Sequence, residues 1–415
     1  MDNIIQVPLN LPDVRVLSTQ QTAQGHWLIG VESTLDGTRC RRCGREIRDL
    51  HGLDAAIRLR HLPLFDVPVF LEMRPKRYRC PYCTGNSTTT PRCEWYEPRS
   101  PHTKAYEQWA LRMLINSTVA DAARKLGVSE ETIEGLLDRW IERAVDWDAW
   151  EQLGVLGIDE VALKRGHRDF VTLVTVPLAG GGVEIVAVLT ARKKETVAAF
   201  LRTIPEPLRR TIERACTDMY EGFVNALTEE IPWVEIVIDR FHVARAYRDC
   251  ADTVRKKELK RLKRALPKAE YAEITGAMWP FRKRPGDLEP EERELLEQLF
   301  TYSPKIEAAY HLREDLTDLF DRDYTKAGAK RAIRAWCKRV RQSGLAEFES
   351  VLGTIDRWMD EITNYFQGRQ TSGFVEGFNN RVKVLKRRCY GLFNVSSLFQ
   401  RLTLDLHGYQ LFGHT

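Results

Sequence analysis

The stretch Leu153-Gly154-Val155-Leu156-Gly157-Ile158-Asp159-Glu160 decides how the chain reads. Its apolar run predicts a buried strand, with Asp159 at an exposed strand end. The same grammar recurs. Ala215-Cys216-Thr217-Asp218 follows a helical segment, and Val234-Glu235-Ile236-Val237-Ile238-Asp239 is a second apolar run closed by an Asp. Far downstream, Gly373-Phe374-Val375-Glu376-Gly377-Phe378-Asn379-Asn380 carries one Glu into a basic helix. One carboxylate at a strand end is common by chance. Three in this order of elements are much less so.

The segments between them set the fold class. Strands are expected at 170–176 and 183–189, flanking the glycine hairpin Ala179-Gly180-Gly181-Gly182. A helix is expected from Glu195 to about Leu208, a strand ending at Asp218, a helix from Tyr220 to Leu227 and a fifth strand at 234–238. The order βββαβαβ is that of the ribonuclease-H-like fold. In that fold the first and fourth strands are neighbours, so Asp159 and Asp218 are expected side by side. From 243 to 365 the pattern is helical and charged, which predicts an all-α insertion ahead of Glu376. Trp279, Trp336 and Trp358 read as core of that helical region, and stacking of Trp279 or Trp336 on DNA bases is the weaker reading.

Toward the N-terminus, Cys40-Arg41-Arg42-Cys43 and Cys80-Pro81-Tyr82-Cys83 are two knuckles, each offering two thiolates to one tetrahedral ion. The 36 residues between Cys43 and Cys80 (44–79) exceed the usual short spacing, and Val67-Pro68-Val69-Phe70-Leu71-Glu72-Met73 suggests a β-ribbon joining the knuckles. A shared structural zinc is expected, with Cys93, His51 and His61 as competing ligands. Arg74, Lys76, Arg77 and Arg79 give this module a basic edge. Residues 119–137 fit a helix-turn-helix. Ala122 and Ala123 allow close helix approach, Gly127 makes the turn, Ser129 is the N-cap, and Ile133, Leu136 and Leu137 bury the second helix. The acidic start at Glu130 and Glu131 argues against strong phosphate contact by that helix.

Composition bounds the rest. The 415 residues are enough for two or three domains, and 43% hydrophobic with 29% charged residues describes a globular chain. No run reaches the roughly 18 apolar residues of a membrane span. No secretory signal is visible at Met1-Asp2-Asn3-Ile4-Ile5, so a cytoplasmic protein is expected, nucleoid-associated when bound to DNA. The net charge of +5 hides local basic clusters suited to nucleic acid.

Asp159, Asp218 and Glu376 suit phosphoryl transfer. Two Mg²⁺ ions (or Mn²⁺) activate the attacking hydroxyl and stabilise the leaving oxygen, and few carboxylates suffice to hold them. Asp159 is expected to bridge both ions, with Asp218 and Glu376 completing one each. Arg381, Lys383, Lys386, Arg387 and Arg388 are placed to hold DNA phosphates. In Asp239-Arg240-Phe241-His242, the Asp and His are expected to sit behind the metal ligands and orient them.

Several blocks together resemble one family. They are Gly157-Ile158-Asp159-Glu160 with Arg165-Gly166-His167, Thr217-Asp218-Met219-Tyr220, Ile238-Asp239-Arg240-Phe241-His242-Val243, Val375-Glu376-Gly377-Phe378-Asn379-Asn380-Arg381-Val382-Lys383, and Lys386-Arg387-Arg388-Cys389-Tyr390-Gly391. They are similar to the bacterial insertion-sequence transposases of the ISL-three family, and the N-terminal cysteines and helix-turn-helix match too. The resemblance implies a DDE enzyme with Asp159, Asp218 and Glu376 as its triad, and Asp239 and His242 as a D-x-x-H signature near it. It implies binding to terminal inverted repeats, DNA cleavage, strand transfer to target DNA and assembly as at least a dimer. Tyr220 stands where Trp is more usual. The implied organisation is a zinc module at 1–98, a helix-turn-helix domain at 99–148, the ribonuclease-H-like core at 149–242 and 366–415, and the all-α insertion at 243–365. The competing readings are a DNA-binding regulator or inactive copy that uses only the N-terminal modules, and a nuclease that cuts without joining.

Overall fold

The computed structural model describes residues 7–162, 170–369, 373–389 and 394–413, and of 373–376 the backbone alone. Arg165, Gly166, His167, Tyr390 and Gly391 lie outside the described residues, as does the Glu376 side chain. The chain forms two compact units, residues 1–142 with 403–415, and residues 143–402.

The first unit opens with a four-stranded sheet of β1 (Val14–Gln21), β2 (Trp27–Ser33), β3 (Ile57–Leu64) and β4 (Val67–Met73) in the order β1-β2-β4-β3. Alternation in β4 buries Val69, Leu71 and Met73 on one face, against Val31, Leu59, Trp95 and Tyr96. Short ribbons carry the cysteines. Thr38–Arg39 pairs with Glu46–Ile47 around the first knuckle, and Asp49–Leu53, Lys76–Arg79 and Thr88–Thr89 form the sheet at the second.

Three helices follow: α1 (Lys104–Leu114), α2 (Val119–Leu126) and α3 (Glu130–Trp140). Thr103, Thr118 and Ser129 cap them, each hydroxyl accepting a backbone N–H from the first turn. Gly127 takes φ +61° at the turn, a conformation that favours glycine. Ala122 and Ala123 are buried where α2 meets its neighbours. Glu107 of α1 is buried at 1% exposure, accepting from Ser100 Oγ (2.7 Å) and Trp140 Nε1 (2.8 Å) and pairing with Arg139. It ties α1 to α3. Glu107→Ala strands these donors, and because Arg139 remains partly solvated the expected loss is about 2–3 kcal/mol. Chemical denaturation of the full chain checks this, and an unchanged midpoint for the first unit would overturn it.

The second unit is built on β5 (Gly154–Ala162), β6 (Phe170–Pro177), β7 (Val183–Leu189), β8 (Ile212–Thr217) and β9 (Glu235–Ile238), in the order β7-β6-β5-β8-β9. β5, β6 and β7 are antiparallel neighbours, whereas β5-β8 and β8-β9 are parallel. The expected helix from Glu195 is two pieces, α4 (Lys194–Thr203) and Glu206–Arg209, because Pro205 interrupts it. α4 packs beside α5 (Glu221–Glu230). β5 also runs past Asp159 to Ala162, since Val161 is buried and pairs with Val171. Asp159 therefore sits within the strand, not at its end.

After β9 the described chain is helical. The main helices are α6 (Arg240–Ala265), α7 (Pro290–Tyr302), α8 (Pro304–Asp321), α9 (Lys326–Ser343), α10 (Gly373–Arg388) and α11 (Val395–Phe412). Trp336 is fully buried, its Nε1 donating to Leu312 O at 2.8 Å, and Trp358 is buried as well. Trp279 departs from expectation. It is 64% exposed, so the core reading of that residue is incorrect. Its short helix, Met278–Arg282, buries Pro280 and Phe281 instead. No helix among the described residues is long and apolar enough to cross a membrane.

Candidate functional site

The four knuckle cysteines converge. Their Sγ atoms all lie within 4.8 Å of one another, with Cys40–Cys83 at 3.9 Å and Cys43–Cys80 at 3.6 Å. A tetrahedral zinc with Zn–S bonds of about 2.3 Å places its sulfurs about 3.8 Å apart, so this donor set fits that ion. Backbone N–H groups of Arg42 and Cys43 lower the Cys40 thiol to about 6, which favours the thiolate a metal needs. Burial, reinforced by the other sulfurs, pushes Cys83 up to about 12. Four thiolates held this close repel one another, and a cation at their centre relieves that repulsion. The competing ligands stand apart from this cluster. His61 is hydrogen-bonded at 3.0 Å to Thr103 Oγ1, Cys93 is buried with Trp95, and His51 is not among the converging ligands.

A second cluster lies in an open cleft of about 790 Å³. The parallel register aligns Ile158 of β5 with Thr217 of β8, which makes Asp159 and Asp218 neighbours across the two strands. Asp239 follows β9. Its backbone N–H donates to Thr217 O at 3.0 Å, and its Oδ1 caps α6 by accepting from Phe241 N at 3.1 Å. All three carboxylates line the cleft, together with His242, Arg245, Arg248, Asp249 and Asn379. Lys383 and Lys386 line it from α10, and Lys386 Nζ donates to Ala162 O at 2.5 Å. Burial lowers the Lys386 ammonium. Arg381, Arg387 and Arg388 share the helix but are not among the lining residues. The helix that carries Glu376 packs on β5.

The electrostatics are those of crowded acids. Burial, and then the charges of Asp159 and Glu160, push Asp218 up to about 6, while His242 opposes the shift. Burial also raises Asp159, helped by Asp239. Asp159 Oδ1 accepts from Glu160 N at 2.7 Å, and its Oδ2 accepts from the Asn379 side-chain amide. Asp218 Oδ1 and Asn379 Oδ1 are buried without a hydrogen-bond partner among the described residues. Unpartnered carboxylate and amide oxygens at one cleft are the ligands a hard divalent cation takes.

Two contributors were missed from the sequence. Asn379 lies one helical turn after Glu376, and that i, i+3 spacing was the available signal. Arg192 pairs with Glu160 at 3.0 Å and lies over the rings of Phe170 and Tyr220 at 5.1 and 5.0 Å. Tyr220 thus packs an arginine beside the acids.

A chain that carries both a helix-turn-helix and a carboxylate cleft lined by lysines is laid out to process DNA. Residues 156–402 match a family of transposases and residues 92–141 match the helix-turn-helix domain of transposase family ISL3, so the chain belongs to this family of DNA transposases. It is similar to the transposase for insertion sequence element IS1001 of Bordetella parapertussis, at 27% identity over 89% of each chain. It is also similar to the transposase for insertion sequence element IS1557 of Mycobacterium tuberculosis, at 22% identity over 90% of this chain and 86% of that one. A solved structure, the Drosophila P element transposase strand transfer complex, aligns with a TM-score of 0.40 and 14% identity over 75% of this chain and 93% of that chain.

Proposed function

We propose that this transposase binds the terminal inverted repeats of its insertion sequence, cuts DNA there and joins the freed end to target DNA, with Asp159, Asp218 and Glu376 as metal ligands. The observation that carries the reading is the adjacency of Asp159 and Asp218 in one cleft, with a buried Asp218 oxygen that no donor among the described residues satisfies. Mg²⁺ or Mn²⁺ held there supplies an activated attacking oxygen and a stabilised leaving oxygen. Asp159 and Asp218 bind from the sheet, and Glu376 completes the ligand set from α10. Asp239 fixes the start of α6, and so the position of His242 beside the acids. Lys383 and Lys386 hold the scissile phosphate's neighbours, with Arg381, Arg387 and Arg388 extending that contact along the backbone. Residues 403–415, expected in the catalytic core, group with the first unit. The strand order β7-β6-β5-β8-β9 supports a ribonuclease-H-like core at 149–242 and 366–402. The helices of 243–365 are then an all-α insertion within it. Zinc in the four-cysteine cluster holds the module at 1–98, which recognises DNA ends with the helix-turn-helix domain at 99–148. Two ends must meet, so the working form on DNA is a homodimer or larger, in the cytoplasm at the nucleoid.

The test is cleavage and joining of labelled DNA that carries the repeats flanking the gene, with Mg²⁺ and with chelator. Metal-dependent cut and joined products support the reading. Specific binding without products under several metals would replace it with a regulator, and cutting without joining with a nuclease.

Asn379 acts in this reading as a positioning residue. It lines the cleft and donates to Asp159, and its own oxygen is buried with no partner among the described residues. Asn379→Ala is expected to raise about tenfold the Mn²⁺ concentration that half-saturates thermal stabilisation, the effect usual when a group behind a metal ligand is lost. An unchanged Mn²⁺ midpoint would show that Asn379 only packs.

A further inference from the structure

We infer that the solvent face of α6, with Trp279 and Arg282, is a track for duplex DNA leading away from the carboxylate cleft. The inference rests on the transposase reading of that cleft, and it gives the helical region after β9 a direct part in holding the substrate.

The track begins inside the cleft. Phe241, His242, Arg245, Arg248 and Asp249 line it from the first turns of α6. Asp252 and Lys256 follow at three- and four-residue spacings, so they continue the same face of the helix. His242 and Lys256 are 14 residues apart (256 − 242), a rise of about 21 Å, which matches about six base pairs of duplex.

Charge along this face suits phosphates. Asp252 is surrounded by Arg255 at 2.6 Å, Lys256 at 2.9 Å and Arg282 at 2.9 Å. Asp252 and Arg255 are buried and offset each other, so the exposed Lys256 and Arg282 give the far end a positive surplus. At the near end Arg245 lies 3.9 Å from Asp249, and Arg248 is exposed. Arg245, Arg248, Lys256 and Arg282 against Asp249, the exposed charges of this face, leave a net charge of +3 (4 − 1).

The aromatic at the far end adds a second kind of contact. Trp279 is 64% exposed, and the Arg282 guanidinium lies 5.7 Å from its ring centroid. An exposed Trp beside an Arg is the pairing that interfaces favour. On DNA it meets a sugar or a base face while its cationic neighbours meet the backbone. An acidic protein surface fits the charge but has no reason to match the distance from the cleft.

The test uses the full chain, chelator, and synthetic duplexes carrying the terminal repeat that flanks the gene. One set ends about three base pairs from the cleavage position and another extends about twelve on either side. The variants are Arg248→Gln with Lys256→Gln, and Trp279→Ala. Lys256→Gln leaves Asp252 its two arginines, and thermal unfolding verifies the fold. For the long duplexes the double variant is expected to lose affinity about tenfold or more, and its salt slope to fall by about 2. Trp279→Ala, a surface change that leaves the buried Pro280 and Phe281 in place, is expected to lose about fivefold. The short duplexes should bind wild type and Trp279→Ala alike, and on them the double variant, which keeps only the loss due to Arg248 in the cleft, should lose less than on the long ones. Unchanged affinity on the long duplexes, or an equal loss on long and short, would overturn the track. Because binding is read without metal, a wild type that binds but makes no products would remove the catalytic reading and leave the track standing.

Discussion

Asp218→Asn is expected to abolish cleavage and joining, by about a thousandfold or more, and at the same time to stabilise the metal-free protein. Both effects follow from one carboxylate. In the proposed site it is a ligand, and Asn offers neither its charge nor its second oxygen. In the metal-free fold it is a burden, because burial and the neighbouring acids push Asp218 up to about 6. The sign follows from linkage. A carboxyl whose pKa is raised on folding binds more protons in the folded state between its unfolded value, near 3.9, and about 6. Its contribution to stability is therefore greatest below that window and is lost as pH rises through it. At pH 7 the ionised group costs on the order of 2 kcal/mol, which Asn removes. Thermal unfolding at pH 7 with chelator should show the variant melting higher than wild type, and added Mn²⁺ should raise wild type more than the variant. Equal metal stabilisation in both proteins, or products from the variant, would remove Asp218 from the proposed ligand set.

Loss of the cysteine cluster should be as severe, but confined to the first unit. Cys40→Ser leaves three thiols where a tetrahedral ion needs four. Structural zinc contributes about 10–16 kcal/mol in small modules, as large as the whole stability of an ordinary domain. The ribbons around the knuckles are two to five residues long, too short to hold themselves. The variant is expected to carry no zinc by metal analysis and to lose specific binding to the terminal repeats. Limited proteolysis should still yield a resistant second unit. Specific end binding by a zinc-free variant would refute the role given to the cluster.

Much of this organisation was legible in the chain because it is local. Two cysteine knuckles, a glycine turn with its caps, and apolar runs closed by acids need no knowledge of what packs on them. The adjacency of Asp159 and Asp218 was legible too, once the strand order was read. What escaped depends on distant partners. β5 continues past Asp159 because Val161 pairs with Val171 of the next strand. Asn379 reaches a carboxylate 220 residues earlier in sequence. Trp279 looked like core because aromatic residues in amphipathic helices usually are, and nothing nearby in sequence says that Phe281 takes that place.

The helix-turn-helix core contains Leu404 and Phe412, with Phe412 edge-on to Trp140 at 5.9 Å. These two residues follow the entire second unit in the order of synthesis. At a ribosomal pace of about 5–20 residues per second, the first unit emerges early and then waits tens of seconds for its last pieces. The nascent chain thus makes the unit that holds the carboxylate cleft before its helix-turn-helix core is complete. A transcript cut short, or a chain clipped ahead of Leu404, yields a protein that has its acids but an unfinished grip on DNA.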